Sequence, residues 1–191
     1  MNSKKGVRLP EYYFDIETYS HGLKPNPVDD KIITIQFQNI DLRSGKPKGD
    51  LIILKEWESS EADIIKEFHN RFFLNKSNIF SFVPVGFNLN FEWEVLIQKF
   101  EKYLKLKLTS KDLHYTIPHV DLKPIVVILN NGNFVGAKLN NFTKKSSSGE
   151  IIKSLYESKN FYEIEKYIRE ENDAFLEFLQ KIIRNKNKLL E

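Results

Sequence analysis

The segment Tyr-Tyr-Phe-Asp-Ile-Glu-Thr-Tyr at residues 12–19 places two acids on either side of one apolar residue. Its aromatic and β-branched residues are typical of a strand, in which alternate side chains point to the same side. Asp15 and Glu17 therefore project from one face, whereas Phe14 and Ile16 face a core. Two carboxylates this close repel each other unless a cation lies between them, and oxygen ligands favour Mg²⁺ or Mn²⁺. The alternative, a strand edge with two solvated acids, fits this segment alone equally well.

The composition indicates one domain and excludes several chemistries. A chain of 191 residues can bury a core, and no apolar run approaches the roughly 20 residues that span a bilayer. The first residues lack the apolar core of a signal peptide, so we expect a cytoplasmic (intracellular) protein with no membrane partner. The absence of cysteine excludes disulfides, thiolate nucleophiles and cysteine-ligated zinc. The net charge of +3 does not establish a polyanionic partner, and one lysine cluster is interpreted as the solvated face of a helix: Lys99, Lys102, Lys105, Lys107 and Lys111.

The pattern of apolar and polar residues predicts a mixed five-stranded sheet flanked by helices. The strands are predicted at residues 12–17, 31–39, 51–57, 79–85 and 113–120. Helices are predicted from Ser59, over about 90–104, from Asp121 as a cap to about 130, and from Ile151 nearly to the end with a break near 158–160. Antiparallel strands followed by alternating helices and strands are typical of an α/β fold.

A second acidic motif, Gly-Phe-Asn-Leu-Asn-Phe-Glu-Trp-Glu-Val-Leu at residues 86–96, lies where a strand ends and a helix begins. At about 100° per residue, Glu92 falls beside the apolar stripe of this helix, whereas Glu94 falls on the opposite side. An acid at the edge of a buried stripe is the better metal-ligand candidate, so Glu92 is preferred. The alternative for either acid is a favourable interaction with the positive end of the helix dipole.

A third motif, at residues 164–175, places an acid inside an apolar helical arc. The arc is formed by Ile168, Phe175, Phe178, Leu179 and Ile182. Glu171 falls within it and Tyr167 precedes Glu171 by one turn, so these two side chains are neighbours, whereas Asp173 falls on the polar face. Because an unpaired buried carboxylate is costly, Glu171 is predicted to be either a metal ligand or one half of a buried salt bridge.

In this order, the three motifs resemble those of the DEDD (DnaQ-like) 3′–5′ exonuclease superfamily. The shared elements are Phe-Asp-Ile-Glu-Thr, then Gly-x-Asn-x-x-Phe-acid, then Tyr-x-x-x-acid, and the similarity covers residues from about 11 to 182. The resemblance implies a ribonuclease H-like fold, with residues 1–191 forming a single exonuclease-like domain that ends in a short basic helical tail. It implies the tyrosine subclass, because no histidine occurs after His119.

The resemblance also implies roles for individual side chains. The ligands of two Mg²⁺ or Mn²⁺ ions would be Asp15, Glu17, Glu92 and Glu171, with Tyr167 completing the catalytic set and Asp173 as the alternative third-motif ligand. Glutamate stands where the family has aspartate at 92 and 171, and the added methylene moves the oxygens by about 1.5 Å, one C–C bond length. Tyr13 and Tyr19, taken as exposed, could stack on terminal bases, and the alternative for both is ordinary surface or core packing. The nucleic-acid contacts would be Thr18, Tyr19, Asn88, Phe91, Lys144 and Lys145, with capping of the second-motif helix as an equal alternative for Asn88.

The implied activity is removal of nucleoside 5′-monophosphates from the 3′ end of a nucleic-acid strand by a two-metal-ion mechanism. Single-stranded DNA is the favoured partner, RNA is the alternative substrate, and homo-oligomerisation is left open. A second interpretation is a module of the same fold that binds nucleic acid or docks to a polymerase but has lost activity, because of the two Asp-to-Glu departures. A third, an enzyme cutting RNA:DNA hybrids internally, fits the tyrosine motif less well.

Overall fold

The computed structural model describes residues 10–22, 25–74, 81–143, 149 and 151–186. Lys144 and Lys145, predicted to contact nucleic acid, lie outside the described residues. No helix in the described part of the chain is both long and apolar enough to cross a membrane. The architecture is α/β, as predicted, with the elements β1 Glu11–Tyr19, β2 Lys31–Asp41, β3 Lys46–Pro47, β4 Ile52–Lys55, α1 Glu61–Phe72, β5 Val83–Gly86, α2 Leu89–Leu104, α3 Ser110–His114, β6 Val120–Asp121, α4 Lys123–Leu129, α5 Ile151–Glu157 and α6 Phe161–Asn185.

Strand β1 lies in the middle of a six-stranded mixed sheet. It pairs antiparallel with β2 and parallel with β5, and β6 extends the sheet beyond β5 in parallel. The short strands β3 and β4 both pair antiparallel with β2. The register sets Asp15 opposite Gln36 and Glu17 opposite Thr34, and the pairing becomes irregular directly after Glu17. The two first-motif acids therefore lie on the central strand, with Glu17 in the last pair before the irregularity.

Helices cover both faces of the sheet. On one face, Phe14 and Ile16 pack in a core with side chains of α1 and α2, and the Phe14 ring stacks on those of Phe68 and Trp93 at centroid distances of 5.3 and 5.8 Å. On the other face, Tyr13 packs in a second core with α4 and α6. Because successive strand residues alternate between faces, Asp15 and Glu17 lie on the Tyr13 side, which α6 covers.

The predicted helices are confirmed, but the strand predicted at 113–120 is largely wrong, and the one predicted at 79–85 begins only at Val83, with residues 79–80 outside the described part of the chain. The break near 158–160 separates α5 from α6, and Lys159 there adopts a left-handed conformation with φ 57°. Residues 113–120 do not form a strand, because α3 covers Ser110–His114 and β6 contains only Val120–Asp121. A capping box between Thr109 and Asp112 starts α3 and commits its backbone to helical hydrogen bonds. The sheet has six strands rather than five because of the two-residue strand β3.

Lys99 does not lie on a solvated helix face, as the lysine cluster suggested. Its side chain is 2% exposed, and its Nζ atom lies 3.0 Å from Oε1 of Glu61 at the start of α1. Glu61 also accepts hydrogen bonds from the Ile32 N–H at 2.8 Å and from the Tyr103 hydroxyl at 2.6 Å. A buried ion pair is tolerated when further hydrogen bonds satisfy it, so this one joins α1, α2 and β2.

Candidate active site

Three carboxylates from two elements converge on the α6 side of the sheet. Asp15 and Glu17 come from β1, where strand alternation places both on one face, and Glu171 comes from α6. One carboxylate oxygen of each residue lies within 4.8 Å of the others, and all three residues are partly exposed. Negative charges this close repel each other unless a cation compensates them, and an all-oxygen ligand set fits Mg²⁺ or Mn²⁺.

Helix α6 brings Glu171, and not Asp173, to this group. Asp173 is exposed, in agreement with the helical phase of the sequence. Tyr167, one turn before Glu171, is 5% exposed, and its hydroxyl donates a hydrogen bond to the Glu171 carboxylate. Burial, followed by the charges of Glu17 and Glu171, raises the pKa of Tyr167 well above its usual value. The side chain is therefore a phenol that serves as a hydrogen-bond donor.

Glu92 supplies a fourth carboxylate from the first turn of α2. It is 5% exposed, and its Oε2 atom has no hydrogen-bond partner among the described residues. Burial, and then the charges of Asp15, Asp121 and Glu171, raise the pKa of Glu92 well above its usual value. Glu92 is outside the group of three within 4.8 Å, but its charge interacts with two of its members. A buried carboxylate oxygen with no partner, close to other carboxylates, fits a divalent cation.

Two donors that the sequence analysis missed hold the carboxylate of Asp15. The Tyr13 hydroxyl donates to Oδ2 of Asp15 at 3.3 Å, and the Gln36 amide donates to the same oxygen at 3.1 Å. The expectation that Tyr13 is exposed for base stacking is wrong, because it is 2% exposed and its ring packs 5.0 Å from that of Phe175. The signal for Gln36 lies in the polar alternation of residues 31–39, since residues opposite each other on paired strands share a face.

Asp121, at the end of β6, fixes the start of α2. Its carboxylate accepts hydrogen bonds from the backbone N–H groups of Asn88 at 2.9 Å, Leu89 at 3.0 Å and Lys123 at 2.8 Å. The bond to Lys123 reaches the first residue of α4, but the N-cap position is Leu122, one residue after the predicted cap. The bonds to α2 were not predicted, since they join residues more than 30 positions apart. Asn88 itself has φ 68°, and its side chain does not cap α2.

Gly86 allows α2 to begin this close to β1. A Cβ atom at Gly86 would lie 2.5 Å from Cδ2 of Leu89 and 2.7 Å from the backbone oxygen of Phe14, both closer than Cβ atoms approach in proteins. Phe14 immediately precedes Asp15, so any side chain at position 86 would push α2 away from the first-motif strand. The glycine therefore helps to keep Glu92 beside Asp15.

The described residues that were predicted to contact nucleic acid differ in exposure. Asn88 is exposed, Thr18 is partly buried, and Phe91 is partly buried against the core that α1 and α2 share. Tyr19 donates its hydroxyl to Glu157 at 3.1 Å. Its ring also packs 4.8 and 5.0 Å from those of His21 and Tyr156. A base could stack on Tyr19 only by replacing these contacts.

No protein-family model and no curated protein sequence matches the chain. Its fold matches that of E. coli Exonuclease I in complex with a dT13 oligonucleotide, with a TM-score of 0.64, 12% identity, and coverage of 96% of this chain and 43% of that one. The zinc-bound form of the E. coli ExoI–ssDNA complex gives the same TM-score and identity, with coverage of 96% and 42%. The family B DNA polymerase of the hyperthermophilic archaeon Pyrobaculum calidifontis matches with a TM-score of 0.57 and 15% identity, and the match covers 93% of this chain and 25% of that one.

The chain thus spans less than half the length of these proteins. At 12% and 15% identity the likeness concerns the fold. A mixed sheet flanked by helices is the architecture that the sequence predicted. The protein therefore has a ribonuclease H-like fold, similar to that of E. coli Exonuclease I.

Proposed function

We propose that the protein is a metal-dependent 3′–5′ exonuclease acting on single-stranded DNA. The observation that carries the proposal is the convergence of Asp15, Glu17 and Glu171 within 4.8 Å, with the buried Glu92 close enough to interact with them. Tyr167 lies beside Glu171, as the DEDD resemblance implies. The crystal structure of E. coli Exonuclease I with a dT13 oligonucleotide supports single-stranded DNA as the substrate.

Asp15, Glu17, Glu92 and Glu171 would hold two divalent ions, and their oxygen donors favour Mg²⁺ or Mn²⁺. Such ions supply an activated water and stabilise charge on the leaving 3′-oxygen of a phosphodiester. The chain's part is to hold two carboxylates on a rigid central strand and to bring the others to them on α2 and α6. The longer glutamate side chain at 171 is compatible with this arrangement, because Glu171 takes part in the close group.

Tyr167 is proposed to orient the attacking water. Its hydroxyl bonds the Glu171 carboxylate, so it lies next to a proposed ligand and to any water held there. A phenol can donate one hydrogen bond and accept others, which suits it to fix the direction of a water molecule. Alignment of the nucleophile is one of the largest contributions that a rigid site makes to the rate.

A module that binds single-stranded nucleic acid without cleaving it is the second candidate. The observation that favours it is glutamate at both 92 and 171, since misplacement of a catalytic group by about 1 Å can lower a rate roughly 100-fold. The two candidates share the fold and the metal site and differ only in turnover.

Incubation of 5′-labelled single-stranded DNA, and of its RNA counterpart, with the protein in Mn²⁺, Mg²⁺ or EDTA tests the proposal. We expect a ladder of DNA products that shortens from the 3′ end with either metal and disappears in EDTA. Glu171→Ala should lower the rate roughly 100-fold or more, because it removes a proposed metal ligand. The matched control is Asp173→Ala, an exposed acid on the same helix, which should cleave like the wild type.

Each alternative has its own result in this experiment. Absence of cleavage with either metal, together with retained binding of the labelled strand, would support the inactive module. Cleavage that survives in Glu171→Ala and is lost in Asp173→Ala would show that the other acid of the third motif is the ligand. If the RNA is shortened faster than the DNA, the preferred substrate is RNA and not DNA.

A further inference from the structure

A row of buried polar side chains runs along β2 on the face that carries the acids. Thr34 and Gln36 are 0% exposed, and Gln38 is 8% exposed. The register sets these three opposite Glu17, Asp15 and Tyr13, respectively. Burying polar side chains costs free energy unless they are hydrogen-bonded, so packing alone does not explain why these three residues are polar.

Gln36 connects this row to Asp15, and two further hydrogen bonds support the connection, one from Thr34 to Gln36 and one from Tyr13 to Asp15. The Thr34 hydroxyl donates to Oε1 of Gln36 at 2.9 Å, which leaves the Nε2 side of the amide for Asp15. Nε2 of Gln36 then donates to Oδ2 of Asp15 at 3.1 Å, and the Tyr13 hydroxyl donates to the same oxygen at 3.3 Å. One oxygen of the Asp15 carboxylate is therefore held by two buried donors from two adjacent strands.

We infer that Gln36 is a positioning residue for metal binding by Asp15, with Thr34 fixing the Gln36 amide and Tyr13 supporting the same oxygen. The inference rests on the proposed function to the extent that Asp15 binds a metal ion. Two donors on Oδ2 limit rotation of the Asp15 carboxylate, so its orientation is set before a cation binds. Hydrogen bonds to ligating side chains typically contribute about 10–100-fold to metal affinity.

Gln38 serves as a control that distinguishes a positioning role of Gln36 from a purely structural one. It is a buried glutamine on the same strand and the same face, two residues from Gln36. Its amide donates to the backbone oxygen of Gly49 at 2.8 Å instead of to a carboxylate of the site. Gln36→Met removes the amide hydrogen bonds to Thr34 and Asp15, and Gln38→Met removes the one to Gly49, while both leave a side chain of similar length.

The test is calorimetric titration of the metal-free protein with Mn²⁺, with the melting temperature in EDTA measured for each variant. Gln36→Met should lower the Mn²⁺ affinity about 10-fold or more, whereas Gln38→Met should stay within about 2-fold of the wild type. Thr34 provides a second pair: Thr34→Val removes the hydroxyl that orients the amide and should also lower the affinity, and Thr34→Ser should restore it. This pair decides the matter if Gln36→Met does not fold.

The inference is overturned if Gln36→Met or Thr34→Val binds Mn²⁺ as tightly as the wild type, or if Gln38→Met loses as much affinity as Gln36→Met. Its failure is distinguishable from that of the proposed function. If the wild-type protein binds Mn²⁺ but does not cleave DNA, only the proposed function is contradicted. The Mn²⁺ affinities of the Gln36 and Gln38 variants then still test the inference. A wild-type protein that binds no Mn²⁺ overturns both.

Discussion

Glu92 is buried at the start of α2, with one carboxylate oxygen that has no hydrogen-bond partner among the described residues. Burial and the neighbouring negative charges raise its pKa in the folded protein. A carboxyl whose pKa is higher folded than unfolded binds more protons in the folded state above its unfolded pKa of about 4.5. The stability of the metal-free protein therefore falls as the pH rises from about 4.5 through the folded pKa of Glu92.

Glu92→Gln removes this charge and keeps the size of the side chain. In EDTA at about pH 8 we expect the free energy of unfolding to rise by roughly 0.5–2 kcal/mol, the usual size of a stabilising substitution, because a buried charge beside Asp15 and Glu171 is removed. The gain should shrink as the pH is lowered toward about 4.5, because the wild-type carboxyl is then protonated. Urea unfolding across this pH range measures it. A variant less stable than the wild type at the higher pH would contradict this account of the site's electrostatics.

The proposed ligands could be predicted from the sequence, whereas the groups that hold them could not. Asp15 and Glu17 follow from strand alternation and Glu171 from helical phase, which are local periodicities. Gln36 depends on the register of two strands and bonds a residue 21 positions away. The burial of Tyr13 depends on α6 packing over that face, which no local pattern contains.

Among the elements, α2 depends on a neighbouring strand for its start. The first N–H groups of a helix have no partner within the helix, and the Asn88 side chain does not supply one. Asp121 of β6 supplies it from across the sheet edge, and a negative charge at a helix N-terminus is favourable. Because Glu92 lies in the first turn of α2, its position depends on this link between β6 and α2.

Asp121→Ala should therefore affect both stability and metal binding. We expect a loss of about 1–3 kcal/mol in the free energy of unfolding, because three backbone N–H groups, two of them partly buried, lose their acceptor. We also expect a severalfold lower Mn²⁺ affinity, because Glu92 is held less firmly. Urea unfolding and Mn²⁺ titration measure the two effects. Asp112→Ala, which breaks the capping box of α3, is the control and should lower stability without changing Mn²⁺ affinity. Equal affinities in the two variants would remove the link between Asp121 and the site.

The strand predicted at 113–120 is largely wrong, although the sequence just before it carries a helix-start signal. Residues 113–120 carry a short apolar run that fits a strand, but Thr109 and Asp112 form a capping box just before it. A capping box fixes the first turn of a helix, so the start of the run becomes α3 and only its end, Val120–Asp121, joins the sheet. Longer segments with strong periodicity, such as α1 and α6, left no such ambiguity.

At the scale of the whole molecule, the candidate metal site exists only in the folded chain. Its carboxylates come from β1, α2 and α6, which are separated by many tens of residues in sequence. In the unfolded chain these groups are far apart and bind cations weakly, whereas in the folded chain they repel one another until a cation binds. Metal binding and folding stability are therefore linked.

This linkage predicts that Mn²⁺ raises the melting temperature. At a free Mn²⁺ concentration of about 100 times the Kd, the folded state gains about 2.7 kcal/mol. For a protein of this size that corresponds to a rise of roughly 5–10 °C, which EDTA should reverse.

Glu171→Ala should lose most of the rise, yet melt in EDTA at or above the wild-type temperature, because removing one of three close carboxylates relieves repulsion. Asp173→Ala should keep the full rise, since its side chain is exposed outside the group. If Glu171→Ala keeps the rise as well, the ions stabilise the protein from some other set of acids, and Asp15, Glu17 and Glu171 are not its metal centre.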